Sequence, residues 1–211
     1  MLKQLLVAAV LLICLFCVSA HAVVFRYDLE IFTDNGMFND DPAADFYFLL
    51  SDEGGLPKFE FHNDSLFESS ITDVYFDGDV LAGIFSITQS AGVDYSEWAS
   101  PSDLPSGNTL IPGFTADFSA ESNPPPSFNG INNSLGEWLA LTMNMSENIT
   151  FNDVHEALSN AELRVGVHLQ AFSDDSSESA INDPEGTIPE PSVISIFGLA
   201  CLGLFWKRRK K

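Results

Sequence analysis

Residues 24–32, VFRYDLEIF, put Phe25, Tyr27, Leu29 and Ile31 at one parity and Arg26, Asp28 and Glu30 at the other. Successive side chains point to opposite faces only in an extended chain, so this period of two is a half-buried strand and is incompatible with a helix. Further strands are expected at 46–50, 58–62, 70–76, 80–88, 137–145 and 162–172, where β-branched and aromatic residues gather between Gly, Asn and Asp clusters. Two such clusters are Glu53-Gly54-Gly55 and Asp77-Gly78-Asp79. The second reads as a hairpin turn joining strands that end at Phe76 and start at Val80, because glycine accepts the positive φ of primed turns. One short helix is expected at 152–159, capped by Thr150 or Asn152, with Val154, Ala157 and Leu158 on its apolar side. The expected fold class is therefore all-β: a single β-sandwich, jelly-roll-like, over residues 23–182, with 18 Phe in the chain to supply its core.

Residues 96–133 differ from the rest. They are rich in Pro, Ser, Gly and Asn, include Pro124-Pro125-Pro126, and read as long loops broken by one strand near 114–118. Loops of this length on a rigid scaffold are where binding faces are found. Trp98 and Phe128 lie in them. Their rings are candidate ligand platforms for sugars; the alternative is that both cap the core beneath the loops.

Charge narrows the partners. Of nine Lys and Arg, only Arg26, Lys58 and Arg164 lie between residues 23 and 206, which also hold all 30 Asp and Glu, so that segment carries 27 net negative charges. Such a surface repels phosphate backbones and anionic headgroups, which argues against nucleic acid and against peripheral membrane binding. Cys14, Cys17 and Cys201 all lie in the terminal apolar runs, so neither a disulfide framework nor a cysteine metal site belongs to the interior.

Both ends read as processing segments. Residues 1–22 have a basic start at Lys3, an apolar stretch over 5–18 and the small-x-small ending Ala20-His21-Ala22, the pattern of a secretory signal peptide cleaved after Ala22. After a linker at 183–188 comes Pro189-Glu190-Pro191, then an apolar run over 192–206, then Lys207-Arg208-Arg209-Lys210-Lys211. A helix over 192–206 would be about 22 Å long against a hydrocarbon core of about 30 Å, so it is a short transmembrane segment with a basic cytoplasmic stop.

Motif, short span and basic end, in that order, resemble the PEP-CTERM sorting tail of Gram-negative bacteria. The resemblance implies recognition by an exosortase, a membrane cysteine protease-transpeptidase that cuts near the motif and delivers the rest to the cell surface or the extracellular matrix. It thus implies export, an intermediate held in the inner membrane by its C-terminal helix, and a final place in the envelope or matrix. The interior also resembles a recurrent type of PEP-CTERM protein through Val74-Tyr75-Phe76-Asp77, Gly107-Asn108, the run FSAESNP at 118–124 and the run RVGVHLQAF at 164–172. That type carries no activity over to this chain.

No catalytic residues are assigned. His62, His155 and His168 are the imidazoles of the interior, and none sits in a nucleophile-elbow or zinc-helix pattern. The expected function is a noncatalytic structural component associated with extracellular polysaccharide. Two alternatives stand beside it. A secreted carbohydrate-active enzyme would need two carboxylates about 5 to 10 Å apart. A calcium-binding surface-layer protein would use oxygen-rich loops, the densest being Asp34 with Asp40 and Asp41, then Asp174 and Asp175 near Glu178. Calcium is the one cofactor these loops suggest, although turns favour Asp for backbone reasons too and neither loop has EF-hand spacing.

In a strain whose exosortase lacks its catalytic cysteine, the chain is expected to accumulate in the inner membrane at its full mass with the signal removed. Immunoblotting of fractions checks this, and unchanged size and location would refute the sorting assignment.

Overall fold

The computed structural model describes residues 23–36, 44–133 and 136–182. Eleven strands and three short helices are present among them. In chain order they are β1 (Val24–Ile31), β2 (Phe46–Glu53), β3 (Leu56–Asn63), β4 (Ser70–Asp77), β5 (Leu81–Gln89), β6 (Tyr95–Glu97), α1 (Gly107–Leu110), β7 (Phe118–Ser122), α2 (Pro126–Asn129), β8 (Ile131–Asn132), β9 (Leu139–Met145), α3 (Phe151–Ser159), β10 (Arg164–Gln170) and β11 (Glu178–Asn182). The all-β expectation is met. The strands form one nearly closed antiparallel sheet in the order β5-β9-β3-β2-β1-β11-β10-β4-β7-β6, with β8 also on β4.

β1 holds the two arms of that sheet together by changing partner midway. Its residues Val24 to Asp28 pair with β2, and Leu29 to Ile31 pair with β11. The alternation read from the sequence is realised at its centre, where Tyr27 and Leu29 are buried while Asp28 and Glu30 face water. β4 behaves differently: every residue from Ser70 to Phe76 is buried. One face of β4 meets the main core through Val74 and Phe76, and Tyr75 on the other face packs with Ala99, Leu104 and Phe114 of the connection between β6 and β7. A strand covered on both faces has no polar side to show.

Aromatic rings join the arms. Phe59 of β3 meets Phe76 of β4 edge-on, with centroids 5.1 Å apart and planes at 76°, and Tyr27 stacks on Phe48 at 5.0 Å. Edge-to-face contact sets the positive rim of one ring against the negative face of the other.

The turn chemistry is met at one site and corrected at the other. Gly54 and Gly55, at φ +66 and +93, form a two-residue hairpin between the paired Glu53 and Leu56, and Asp52 Oδ1 accepts the Gly55 N–H at 2.6 Å. Asp77-Gly78-Asp79 is not a hairpin. β4 pairs with β10, β7 and β8, whereas β5 pairs with β9, so the chain passes here from one arm to the other. Glycine is needed at 78 for a different reason: at φ +153, a Cβ would lie 2.6 Å from the Glu162 carbonyl oxygen. The crossing is held by Asp117, which accepts the Gly78 N–H at 3.0 Å, and by an ion pair between Asp77 and Arg164.

The expected helix begins one residue earlier, at Phe151, and Thr150 is its cap in a reciprocal capping box with Asp153. The Thr150 hydroxyl and N–H hold the Asp153 carboxyl below the usual carboxylate range. The strand expected near 114–118 lies instead at β7, because Phe114 is drawn completely into the small cluster under Tyr75. α1, α2, β6, β8 and β11 were not expected from the sequence, and each is five residues or fewer. Among the described residues, no helix is long and apolar enough to cross a membrane.

Thr150→Ala is expected to cost about 1 kcal/mol by removing the cap. Gly78→Ala should cost more than about 1 kcal/mol, because it adds a collision to an unfavourable φ. Denaturant midpoints measure both, and equal midpoints for Gly78→Ala and the native chain would contradict the close approach to Glu162.

Candidate functional site

Two depressions carry Phe128 and Trp98, while a third exposed aromatic, Phe85 of β5, lines neither. The larger, of about 480 Å³, lies where the connections after β3, β5, β8 and β10 converge on α2; Glu68, Ser69, Gly92, Phe128, Asn132 and Glu137 are among its lining residues. Phe128 stands on its rim, 73 % exposed. Local bonding fixes that ring's support. Pro126 opens α2 at a position where a missing N–H costs nothing. At its end Gly130 lies so close to β4 that a Cβ would sit 2.4 Å from the Ile71 carbonyl oxygen. The Asn132 amide donates to the carbonyls of Phe128 at 3.3 Å and Gly130 at 3.2 Å, and Glu137 Oε2 accepts the Asn132 N–H at 2.7 Å.

The smaller depression, of about 260 Å³, lies in the seam between β5 and β6, lined in part by Ala82, Gly83, Glu97, Trp98, Phe118 and Asn144. These consecutive strands are not paired with each other; β5 is joined to β9 and β6 to β7. At one end a side chain spans the gap, Gln89 Oε1 accepting the Tyr95 N–H at 2.9 Å. At the other end Trp98 adopts φ +73, a region that disfavours bulky side chains. Three bonds hold it: Trp98 N–H to the Ser119 carbonyl, Ala99 N–H to Ser119 Oγ and Ser100 N–H to Glu121 Oε2, each 2.9 Å. The indole is left 67 % exposed. Neither aromatic caps the core, so that alternative is set aside. The two rings belong to separate depressions and do not form one platform.

The oxygen-rich loops do meet, in part. Asn35 donates from Nδ2 to the Ser177 carbonyl and from its backbone N–H to Glu178 Oε1, both at 3.0 Å, and the Thr33 hydroxyl donates to Glu178 Oε2 at 2.5 Å. The buried Glu178 carboxylate is thus engaged by the loop before it in space. Asp174 Oδ1 accepts from the Ser176 N–H at 3.1 Å and hydroxyl at 2.6 Å, the local bonding that favours Asp in turns. Asp34 and Asp175 are exposed, and Asp40 and Asp41 lie outside the described residues. Among the described residues, no group of three or more His, Cys, Asp and Glu could hold a metal ion.

The histidines have structural surroundings. His168 Nδ1 lies 3.1 Å from Asp73 Oδ2 across the β4–β10 pair, and Ser179 stands opposite His168 on β11. A serine–histidine–aspartate row is thereby suggested by register, but the Ser179 hydroxyl donates to the Pro105 carbonyl at 2.8 Å and is buried under that loop. His62 stacks on Tyr47 at 4.9 Å beside Glu60. His155 of α3 stacks on Phe25 at 3.7 Å, and its Nδ1 lies 2.6 Å from the Tyr27 hydroxyl. Burial pushes the Tyr27 phenol up to about 12, so it keeps its proton and donates. The signal-cleavage residues Ala20 and Ala22, the motif Pro189, Glu190 and Pro191, and the basic end Lys207, Arg208, Arg209, Lys210 and Lys211 all lie outside the described residues.

Aromatics in polar loops were findable from the sequence, and Phe128 and Trp98 were found that way. Glu68, Asn132 and Glu137 were not, because their adjacency arises only when separate connections meet at one end of the sheet.

Burial lowers the His155 pKa, so the folded state resists a proton that the unfolded chain takes up at about pH 6.5. The stability contributed by neutral His155 is fully present above that value and lost as pH falls below it. His155→Gln, which keeps an acceptor for Tyr27, should therefore gain on the native chain between pH 8 and pH 5 in paired thermal melts; a constant gap would refute the assignment. No protein-family model, curated protein or solved structure matches this chain.

Proposed function

We propose that the chain is an exported, exosortase-processed protein of the cell surface or extracellular matrix, whose β-domain associates noncatalytically with polysaccharide. The observation that carries the binding part is Phe128: a ring left 73 % exposed at the rim of a 480 Å³ cleft bordered by carboxylates and amides. Sugar rings offer an apolar face to stack on such a ring and hydroxyls for the polar border. Trp98 offers a second platform of the same kind in the seam. The signal segment and the PEP-CTERM-like tail supply the address, and the 27 net negative charges between them suit a solvated exterior.

The nearly closed sheet reads best as a β-sandwich flattened about β1, with the arm β5-β9-β3-β2 facing the arm β11-β10-β4-β7-β6. The Phe59–Phe76 and Phe61–Phe76 ring contacts, at 5.1 and 6.2 Å, support it. The noncatalytic reading is supported by the engagement of the Ser179 hydroxyl by Pro105.

Phe128→Ala is expected to weaken binding to the polysaccharide of the producing cells about ten-fold, and Trp98→Ala to weaken it independently, with unchanged melting temperature because both rings are exposed. Co-sedimentation with purified matrix checks this. Native affinity in the double variant would refute aromatic recognition.

A further inference from the structure

We infer that the polymer taken by the Phe128 cleft is cationic, a hexosamine polymer with free amino groups. The inference rests on the reading that this cleft binds polysaccharide, and it adds the charge class. Its first support is that the interior has no cation to spare. Arg26 is bound to Asp28 at 2.6 Å and Asp45 at 2.5 Å, Lys58 to Glu60 at 3.2 Å, and Arg164 to Asp77. None of the three lines either depression. A uronate, sulfate or phosphate polymer would find no counter-charge there and would approach against a field of one sign.

The second support lies in the cleft itself. Glu68 and Glu137 line it together with Phe128. Glu137 Oε2 is engaged by the Asn132 N–H, which leaves Oε1 for a ligand, and Glu68 is exposed. A neutral sugar stacked on Phe128 would strip water from these carboxylates and return only hydroxyl hydrogen bonds. An ammonium group on the sugar compensates them directly with charge-assisted bonds, and the aromatic face attracts a cation as well. Ring, carboxylates and surrounding charge therefore select the same ligand class.

The test is co-sedimentation of the full-length chain, purified in detergent, with four probes: partially deacetylated polyglucosamine, its fully N-acetylated form, a neutral β-glucan and a polyuronate. The deacetylated polymer is expected to bind at least about ten-fold more tightly than the acetylated and neutral ones, with affinity falling as salt rises, and any polyuronate binding, through the basic end at 207–211, to be unchanged by Phe128→Ala. Phe128→Ala and Glu68→Gln should each weaken that binding by about ten-fold, with folding verified by thermal melts. Undiminished binding of Phe128→Ala would show general attraction to an acidic surface and overturn the site. Equal binding of the neutral glucan, lost in Phe128→Ala, would overturn the charge class and leave polysaccharide binding standing. Binding to none of the four, nor to matrix from the producing cells, would overturn both.

Discussion

The structure depends on one strand serving two partners. β1 contributes its first half to the ladder with β2 and its last residues to the ladder with β11, so the backbone bonds of one strand tie both arms of the sheet. Each backbone N–H and C=O that enters the interior needs a partner, and exchanging partners within one strand supplies them without a break. The consequence is that Phe48, Phe59 and Phe61 from one arm and Phe76 from the other share a single core. That core sets where the connections emerge, and the connections make the clefts.

At the far side from β1 the sheet does not close. β5 and β6 follow each other in the chain yet form no ladder, and the side chain of Gln89 does there what backbone bonds do elsewhere. Unpaired edges invite other chains to pair, and β5 counters this with two register irregularities and a glycine at φ +128. Trp98 occupies the widened end of the same seam in a backbone conformation that costs energy, held by the β7 residues Ser119 and Glu121. The exposed Trp98 ring and the incomplete closure are thus one feature of the topology.

Much of the fold was legible before any coordinates. The alternation in VFRYDLEIF, the double glycine of the β2–β3 hairpin and the Thr150 cap each act through neighbours close in sequence, and each was read correctly in kind. The errors share a different cause. Asp77-Gly78-Asp79 has the composition of a hairpin turn, but whether two consecutive strands pair depends on which distant strands lie beside them, here β10 and β7 for β4 and β9 for β5. Phe114 looked like strand material and became a plug under Tyr75. The short strands β6, β8 and β11 are extended by pairing with the strands beside them, and are too short to leave a periodic trace.

By itself the sequence determined the all-β class, the position of the capped helix, the concentration of negative charge between two apolar ends, and which aromatics stand among polar loops. These follow from local sterics, side-chain periodicity and the count of ionisable groups, none of which requires knowing the partner of any strand. Only the tertiary structure decided that Phe128 shares a cleft with Glu68 and Glu137, that Trp98 opens a separate seam, and that Arg26 and Arg164 meet Asp45 and Asp77. Those relations join separate connections or separate strands, and they exist only because the ladders of the sheet bring them together.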